Sequence, residues 1–164
     1  MREGVDAFVL DALSHLQAGR IQDARQALQE TEEPGTDPFA PVRQQRRLAA
    51  LCHLHSTVDD RLALFHGISS LVDLALETGW SVLGNVGSQI DDLVNLACQF
   101  GEEQAAKQAL AAGKALVPTP ATTGWLDIAT VRLETWRRQE DATQVALARC
   151  VDNPFVRRDL PYCQ

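Results

Sequence analysis

The sequence predicts an all-α chain of antiparallel helical hairpins, about four pairs, forming a single domain over 1–164. Three observations carry that expectation. Apolar residues recur at spacings of three and four along nearly the whole chain, the signature of helices with one buried face. Alanine, leucine and glutamine are abundant while isoleucine and tyrosine are scarce, and straight side chains lose less entropy in a helix than branched or aromatic ones. No segment alternates apolar and polar residues with period two, so no strand is predicted.

The elements follow in order. Phe8, Ala12, Leu13 and Leu16 share one face of a first helix, with His15 beside them. Gly19 interrupts it, and Ile21, Ala24, Ala27 and Leu28 restart the pattern. Pro34, Gly35, Pro38 and Pro41 form a linker. A third helix is expected from Val42 to Ser56, with Leu48, Leu51, Cys52 and His55 inward. Thr57 or Asp59 is positioned to cap a fourth, which Gly79 closes after Thr78. Residues 80–87, with Gly84 and Gly87, fit either a loop or an early helical turn. Helices are then expected over Ile90–Phe100, Glu102–Val117, Trp125–Arg138 and Asp141–Val151, with 155–164 as a tail.

The turns between paired helices resemble one another. Gly19 precedes Ala24 and Leu28; Gly101 precedes Ala106 and Leu110; Arg137 precedes Ala142 and Ala146. Ala106 to Ala142 and Pro118 to Pro154 are both 36 residues. A small residue just after a turn lets the second helix of a hairpin approach the first closely, and a large side chain there would cost roughly 1–3 kcal/mol. These residues resemble the tetratricopeptide repeat, whose unit is two antiparallel helices in about 34 residues. The match is to a degenerate form: the stretch 42–79, with Leu64, Ile68 and Leu71 as packing positions, departs most from the pattern, and the family's aromatic positions are mostly missing. The resemblance implies units at about 4–35, 42–79, 87–118 and 123–154, stacked as a short right-handed solenoid. A related helical-hairpin solenoid or a compact bundle fits the same periodicity.

Composition narrows the function classes. The net charge is −7, and the basic residues are arginines apart from Lys107 and Lys114. Nucleic-acid binders draw their affinity from neutralising phosphates, so this sign argues against one, despite the local cluster Arg43, Arg46 and Arg47. No run of about 20 apolar residues could span a bilayer. Asp6 and Asp11 break the N-terminal apolar run, so it does not read as a signal peptide, and a cytoplasmic protein is expected. There Cys52, Cys98, Cys150 and Cys163 would be reduced thiols.

Clusters that could carry chemistry fall short individually. Cys52-His53-x-His55 supplies two ligands on one helix face and no further group at zinc-site spacing, so no metal or cofactor is expected. Cys98 with His66, or Cys150 with His15, would make a nucleophile–base pair only if the fold joined them. Gly84-x-x-Gly87 lacks the lysine and the preceding strand of a phosphate loop. Asp59-Asp60 and Asp91-Asp92 are adjacent carboxylates; the first suits a helix N-terminus. No catalytic residue is assigned, and the chain reads as a non-enzyme.

The polar face of the fifth helix, with Ser88, Asp91, Asp92, Asn95 and Gln99, carries the functional expectation. In tetratricopeptide repeats the first helix of each pair lines a groove that holds a partner's peptide. Carried onto this chain, that groove would include Arg46, Asp91, Asn95, Gln99, Asp127 and Glu134, and would be mostly acidic. The resemblance thus implies an adaptor, scaffold or chaperone-like module taking a basic or amphipathic segment of another protein. The same residues would serve equally as a solvated outer face, and a tail folded back would fill the groove. The alternative function is a regulatory or sensor domain holding a small ligand between helices; a Cys/His metal protein or enzyme comes after both.

Overall fold

A computed structural model describes residues 5–29, 38–81 and 84–159. Among these the chain is all-helical: α1 (Val5–Gln17), α2 (Ile21–Gln29), α3 (Ala40–Thr57), α4 (Arg61–Thr78), α5 (Val86–Phe100), α6 (Glu103–Gly113), α7 (Pro120–Trp136), α8 (Glu140–Asp152) and α9 (Pro154–Asp159). The only extended pairing described is an isolated bridge between Ser81 and Gly84. None of the described helices is long and apolar enough to cross a membrane. The linker at Pro34 and Gly35, and Cys163, lie outside the described residues.

The chain divides into two compact units, Met1–Thr78 and Gly79–Gln164. In the first, α1 packs against α2 and α3, and α3 against α4. Val9, Ala12 and Leu16 of α1, Ala24, Ala27 and Leu28 of α2, and Ala50 and Leu54 of α3 form one buried cluster. Gln45 is fully buried on α3, and its amide Nε2 donates to Thr78 Oγ1 at 3.1 Å, joining the start of α3 to the end of α4. In the second unit α5 packs against α6 and α7, and α7 against α8 and α9.

Each hairpin turn closes in the same way. Gly19, Asp59, Gly101 and Arg138 all take left-handed backbone conformations, with φ of 72°, 54°, 75° and 57°. The amide after each bonds back across the turn: Arg20 to His15, Asp60 to His55, Glu102 to Ala97 and Gln139 to Glu134. This is the Schellman closure of a helix C-terminus, which favours glycine because it has no Cβ to clash. The residue in glycine's place in the last hairpin is therefore Arg138, not Arg137, whose φ is −72°. Ala24 and Ala106 are fully buried, as expected, and so is Ala146 in the position of Leu28 and Leu110, whereas Ala142, in the position of Ala24 and Ala106, is exposed. The fourth helix is capped by Asp60, whose Oδ1 accepts from the Ala63 amide, rather than by Thr57 or Asp59.

Four element boundaries differ most from the sequence expectation, the others by one or two residues. α5 starts four residues early, because Asn85 Oδ1 accepts from the Gly87 amide at 2.7 Å and caps it. α7 starts at Pro120, where the Thr119 hydroxyl accepts from the Thr122 amide and proline suits the first turn. α6 ends at Gly113 instead of Val117. There a Cβ would meet Leu126 Cδ2 at 2.5 Å and Ile90 Cδ1 at 2.8 Å, so α6 comes down directly onto apolar side chains of α7 and α5. The expected tail begins with a helix, α9, since Asn153 Oδ1 accepts from the amides of Phe155 and Val156. Residues 160–164 lie outside the described residues.

The capping residues reveal a period that the alanines and prolines obscured. Asn85, Thr119 and Asn153 precede α5, α7 and α9 and are spaced 34 residues apart. They are also joined. Asn85 Nδ2 donates to Thr122 Oγ1 at 3.3 Å, and Asn153 Nδ2 donates to Pro120 O and Thr123 Oγ1 at 3.0 and 3.1 Å. Pro118 and Pro154 are not equivalent: Pro154 opens a helix, as Pro120 does.

Candidate functional site

The face that α5 and α7 present together begins with their close approach. A Cβ on Gly87 would meet Trp125 Cβ at 3.0 Å and Thr122 O at 3.1 Å, so the two helix starts pack nearly backbone to side-chain root. One turn along, Asp91 is buried, and Arg132 Nε of α7 donates to its Oδ1 at 2.7 Å. Burial pushes the Asp91 carboxyl above its usual range, while the hydrogen bond and charge of Arg132 pull against that rise. Asp92 reaches solvent but is crowded by surrounding protein. That desolvation raises it, the neighbouring Asp91 charge adds to the rise, and Arg132 opposes it.

Beyond this pair an open groove of about 570 Å3 runs between the two helices. Asn95, Cys98 and Gln99 of α5 form one wall, and Val131, Arg132, Thr135 and Trp136 of α7 the other. Trp136 is exposed at the last turn of α7. Arg132 is half exposed, and beyond its Nε bond to Asp91 its two terminal nitrogens meet no acceptor among the described residues. The Asn95 amide has no partner among them either. Cys98 is half buried, and desolvation raises its thiol against the opposing charge of Arg132.

The six residues expected to line an acidic groove have separate fates. Arg46 is exposed on α3, in the first unit. Asn95 and Gln99 line the α5–α7 groove. Asp91 lies beneath it, paired with Arg132. Asp127 is half buried and accepts from Arg149 Nε of α8 at 2.8 Å. Glu134 takes Arg137 Nη1 on both carboxylate oxygens, at 2.9 and 3.1 Å, while Arg137 Nε reaches Glu103 at 2.9 Å. Each of the three carboxylates therefore carries an arginine, and the acidic character that the sequence suggested is largely neutralised. Glu103, partly exposed, is held below the usual carboxylate range by its hydrogen bond to Lys107 and then by the Lys107 and Arg137 charges.

Sequence reasoning missed Cys98, Val131, Arg132, Thr135 and Trp136. The signal for Trp136 was present: a large aromatic at the solvent end of a helix. Nothing in sequence marked Arg132 as the partner of Asp91, 41 positions away.

The other clusters weighed in the sequence are resolved individually. Cys52 is buried against α4, where a Cβ on Gly67 would lie 2.9 Å from its sulfur, and desolvation pushes the thiol up to about 11. His53 is exposed and His55 half buried. Among the described residues no three His, Cys, Asp or Glu side chains converge on a possible metal position. Cys98 and His66 belong to different units, as do Cys150 and His15. His15 Nδ1 instead accepts from Arg20 Nε at 2.9 Å, within the first hairpin.

Comparison with protein-family models, with curated proteins and with solved structures finds no match to this chain.

Proposed function

We propose that this chain is a non-enzymatic protein-interaction module, adaptor- or scaffold-like, that holds an amphipathic segment of another protein in the α5–α7 groove. The observation that carries the reading is the groove itself: an open trough with Val131 and Trp136 as apolar lining, and the Asn95 amide and the terminal nitrogens of Arg132 as donors that meet no acceptor among the described residues. A micromolar complex needs about 8 kcal/mol, and an exposed ion pair supplies at most about 1. Apolar anchors against Trp136 and Val131 must therefore provide most of the affinity, with acceptors on the partner meeting Asn95 and Arg132. The pairing of Asp91, Asp127 and Glu134 with arginines removes the reason to require a basic partner.

The tetratricopeptide-like reading is part of this proposal. It is supported by helix starts 34 residues apart in the second unit and by the repeated turn closure, since that family's unit is about 34 residues. The free thiols of Cys52, Cys98 and Cys150 are consistent with a reducing, cytoplasmic setting.

Peptide-display selection against the intact chain, followed by measured affinities for the selected peptides, tests the reading. Trp136→Ala is expected to weaken them at least tenfold, as loss of an interface aromatic does. Peptides that bind Trp136→Ala and Asn95→Ala as tightly as the parent would remove the groove from the mechanism.

A further inference from the structure

A second concavity in the same unit lies away from the groove, where the chain leaves α6. Because α6 stops at Gly113, residues 114–118 run as a loop beside α7 and border a half-open concavity of about 290 Å3. This is at the small end of ligand sites, which span roughly 300–1,000 Å3. Leu116, Pro118 and Leu126 give it an apolar lining, and Lys114, Asp127 and Arg149 bring charge to it.

The charges do not cancel. Arg149 Nε donates to Asp127 Oδ1 at 2.8 Å, so that pair is neutral overall. Among the described residues the terminal nitrogens of Arg149 and the ammonium of Lys114 meet no acceptor. Lys114 is therefore an uncompensated cation at an apolar concavity, on a chain whose net charge is −7. Two of the lining hydroxyls are already committed as donors, Thr123 Oγ1 to Thr119 O at 2.9 Å and Thr130 Oγ1 to Leu126 O at 2.7 Å, and Thr122 Oγ1 accepts from Asn85 Nδ2 and Thr119 Oγ1. A ligand here meets cationic donors at the rim and hydrocarbon within.

We infer that this cavity binds a small organic acid, a carboxylate on a compact apolar body. The carboxylate sits between Lys114 and the free edge of the Arg149 guanidinium, and the body lies against Leu116, Pro118 and Leu126. Charge-assisted bonds from two cations are the strong kind, and a guanidinium edge matches a carboxylate in plane. The cavity volume selects a free small acid over the carboxylate end of a peptide. This inference is independent of the groove proposal, because it shares none of the groove's residues.

The test is an amide NMR titration of the full chain with benzoate, alongside benzamide, inorganic phosphate and an acetylated tetrapeptide ending in leucine. Benzoate is expected to give saturable shifts at Gly113, Lys114, Leu116 and Thr130, with benzamide and phosphate each far weaker. Lys114→Gln is expected to lower benzoate affinity about tenfold, the effect of removing one charged hydrogen bond. Lys114 closes α6 through its backbone amide, which Lys114→Gln keeps, so an unchanged melting temperature verifies that this variant is intact. Arg149→Gln provides an independent second loss. The inference is overturned by the absence of saturable shifts, by equal binding of benzamide, or by Lys114→Gln binding as the parent does. Tighter binding of the tetrapeptide than of benzoate overturns the assignment to a free small acid.

Discussion

Single atoms decide how closely α3 and α4 approach. Gly67 faces the Cys52 sulfur, and the 2.9 Å that a Cβ would find there is shorter than ordinary contact. Gly67→Ala is expected to cost about 1–3 kcal/mol by overpacking. Urea denaturation should show most of that loss restored in the double variant Gly67→Ala, Cys52→Ala; a strictly additive pair would mean the strain lies elsewhere. The same burial governs reactivity. With its thiol pushed up to about 11, Cys52 forms almost no thiolate at pH 8. Cys98, half buried in the open groove, is expected to alkylate well before Cys52 or buried Cys150 in the native protein. Peptide-resolved mass spectrometry reads that order, and early labelling of Cys52 would contradict it.

Helices are held by their ends and by ion pairs such as Asp91–Arg132, whose carboxylate is buried and whose arginine is half exposed. Arg138 takes a left-handed conformation that costs a side-chain-bearing residue about 1 kcal/mol relative to glycine. Arg138→Gly should therefore raise the melting temperature by a few degrees. A drop would show that the arginine side chain contributes more than its backbone strain. Asn153 ends α8, caps α9 and bonds to the start of α7. Asn153→Ala is expected to cost about 1–2 kcal/mol, with hydrogen exchange accelerating first in α9. Between α5 and α7, the raised Asp91 carboxyl favours its protonated form in the folded state. Its contribution is thus fully present below the ordinary value of 3.8 and is lost as pH rises through the higher folded value. Asp91→Asn keeps an acceptor for Arg132 but does not titrate. The stability of the parent minus that of Asp91→Asn should therefore fall between pH 3 and pH 7. A difference that grows with pH would mean Arg132 outweighs the burial.

At the scale of the whole molecule, contacts collect within Met1–Thr78 and within Gly79–Gln164. Residues 79–164 contain their own buried side chains on α5, α6 and α7 and the chain of capping bonds from Asn85 to Asn153. Expressed alone, this stretch is expected to give a helical spectrum and a cooperative thermal transition. A molten, non-cooperative product would show that its stability depends on the first unit.

Helix content, the hairpin turns and the inward faces of α2 and α5 were legible in the sequence, because amphipathic spacing and turn glycines act locally, whereas α3 buries Gln45, Ala50 and Leu54 and leaves the expected Leu48, Leu51 and His55 half-buried. Gly19 and Gly101, the buried Ala24 and Ala106, and the inward face of α5 follow from rules spanning four or five residues. What failed was what local rules cannot see. A left-handed arginine at 138 is tolerated only because the surrounding turn imposes it, so placing the turn at Arg137 put Ala142 inward where it is exposed, although Ala146 is buried as expected. The 34-residue period was hidden because it resides in asparagine and threonine caps, whose role appears only when each meets its amide. The charge of the groove was misjudged for the same reason. Asp91, Asp127 and Glu134 are carboxylates in the sequence, but Arg132, Arg149 and Arg137 neutralise them, the first two from another helix. Sequence alone determined that this chain is built of helical hairpins, since periodicity and turn chemistry are properties of neighbours along the chain. Tertiary structure decided which charges survive at its surfaces, since ion pairing depends on approach across helices.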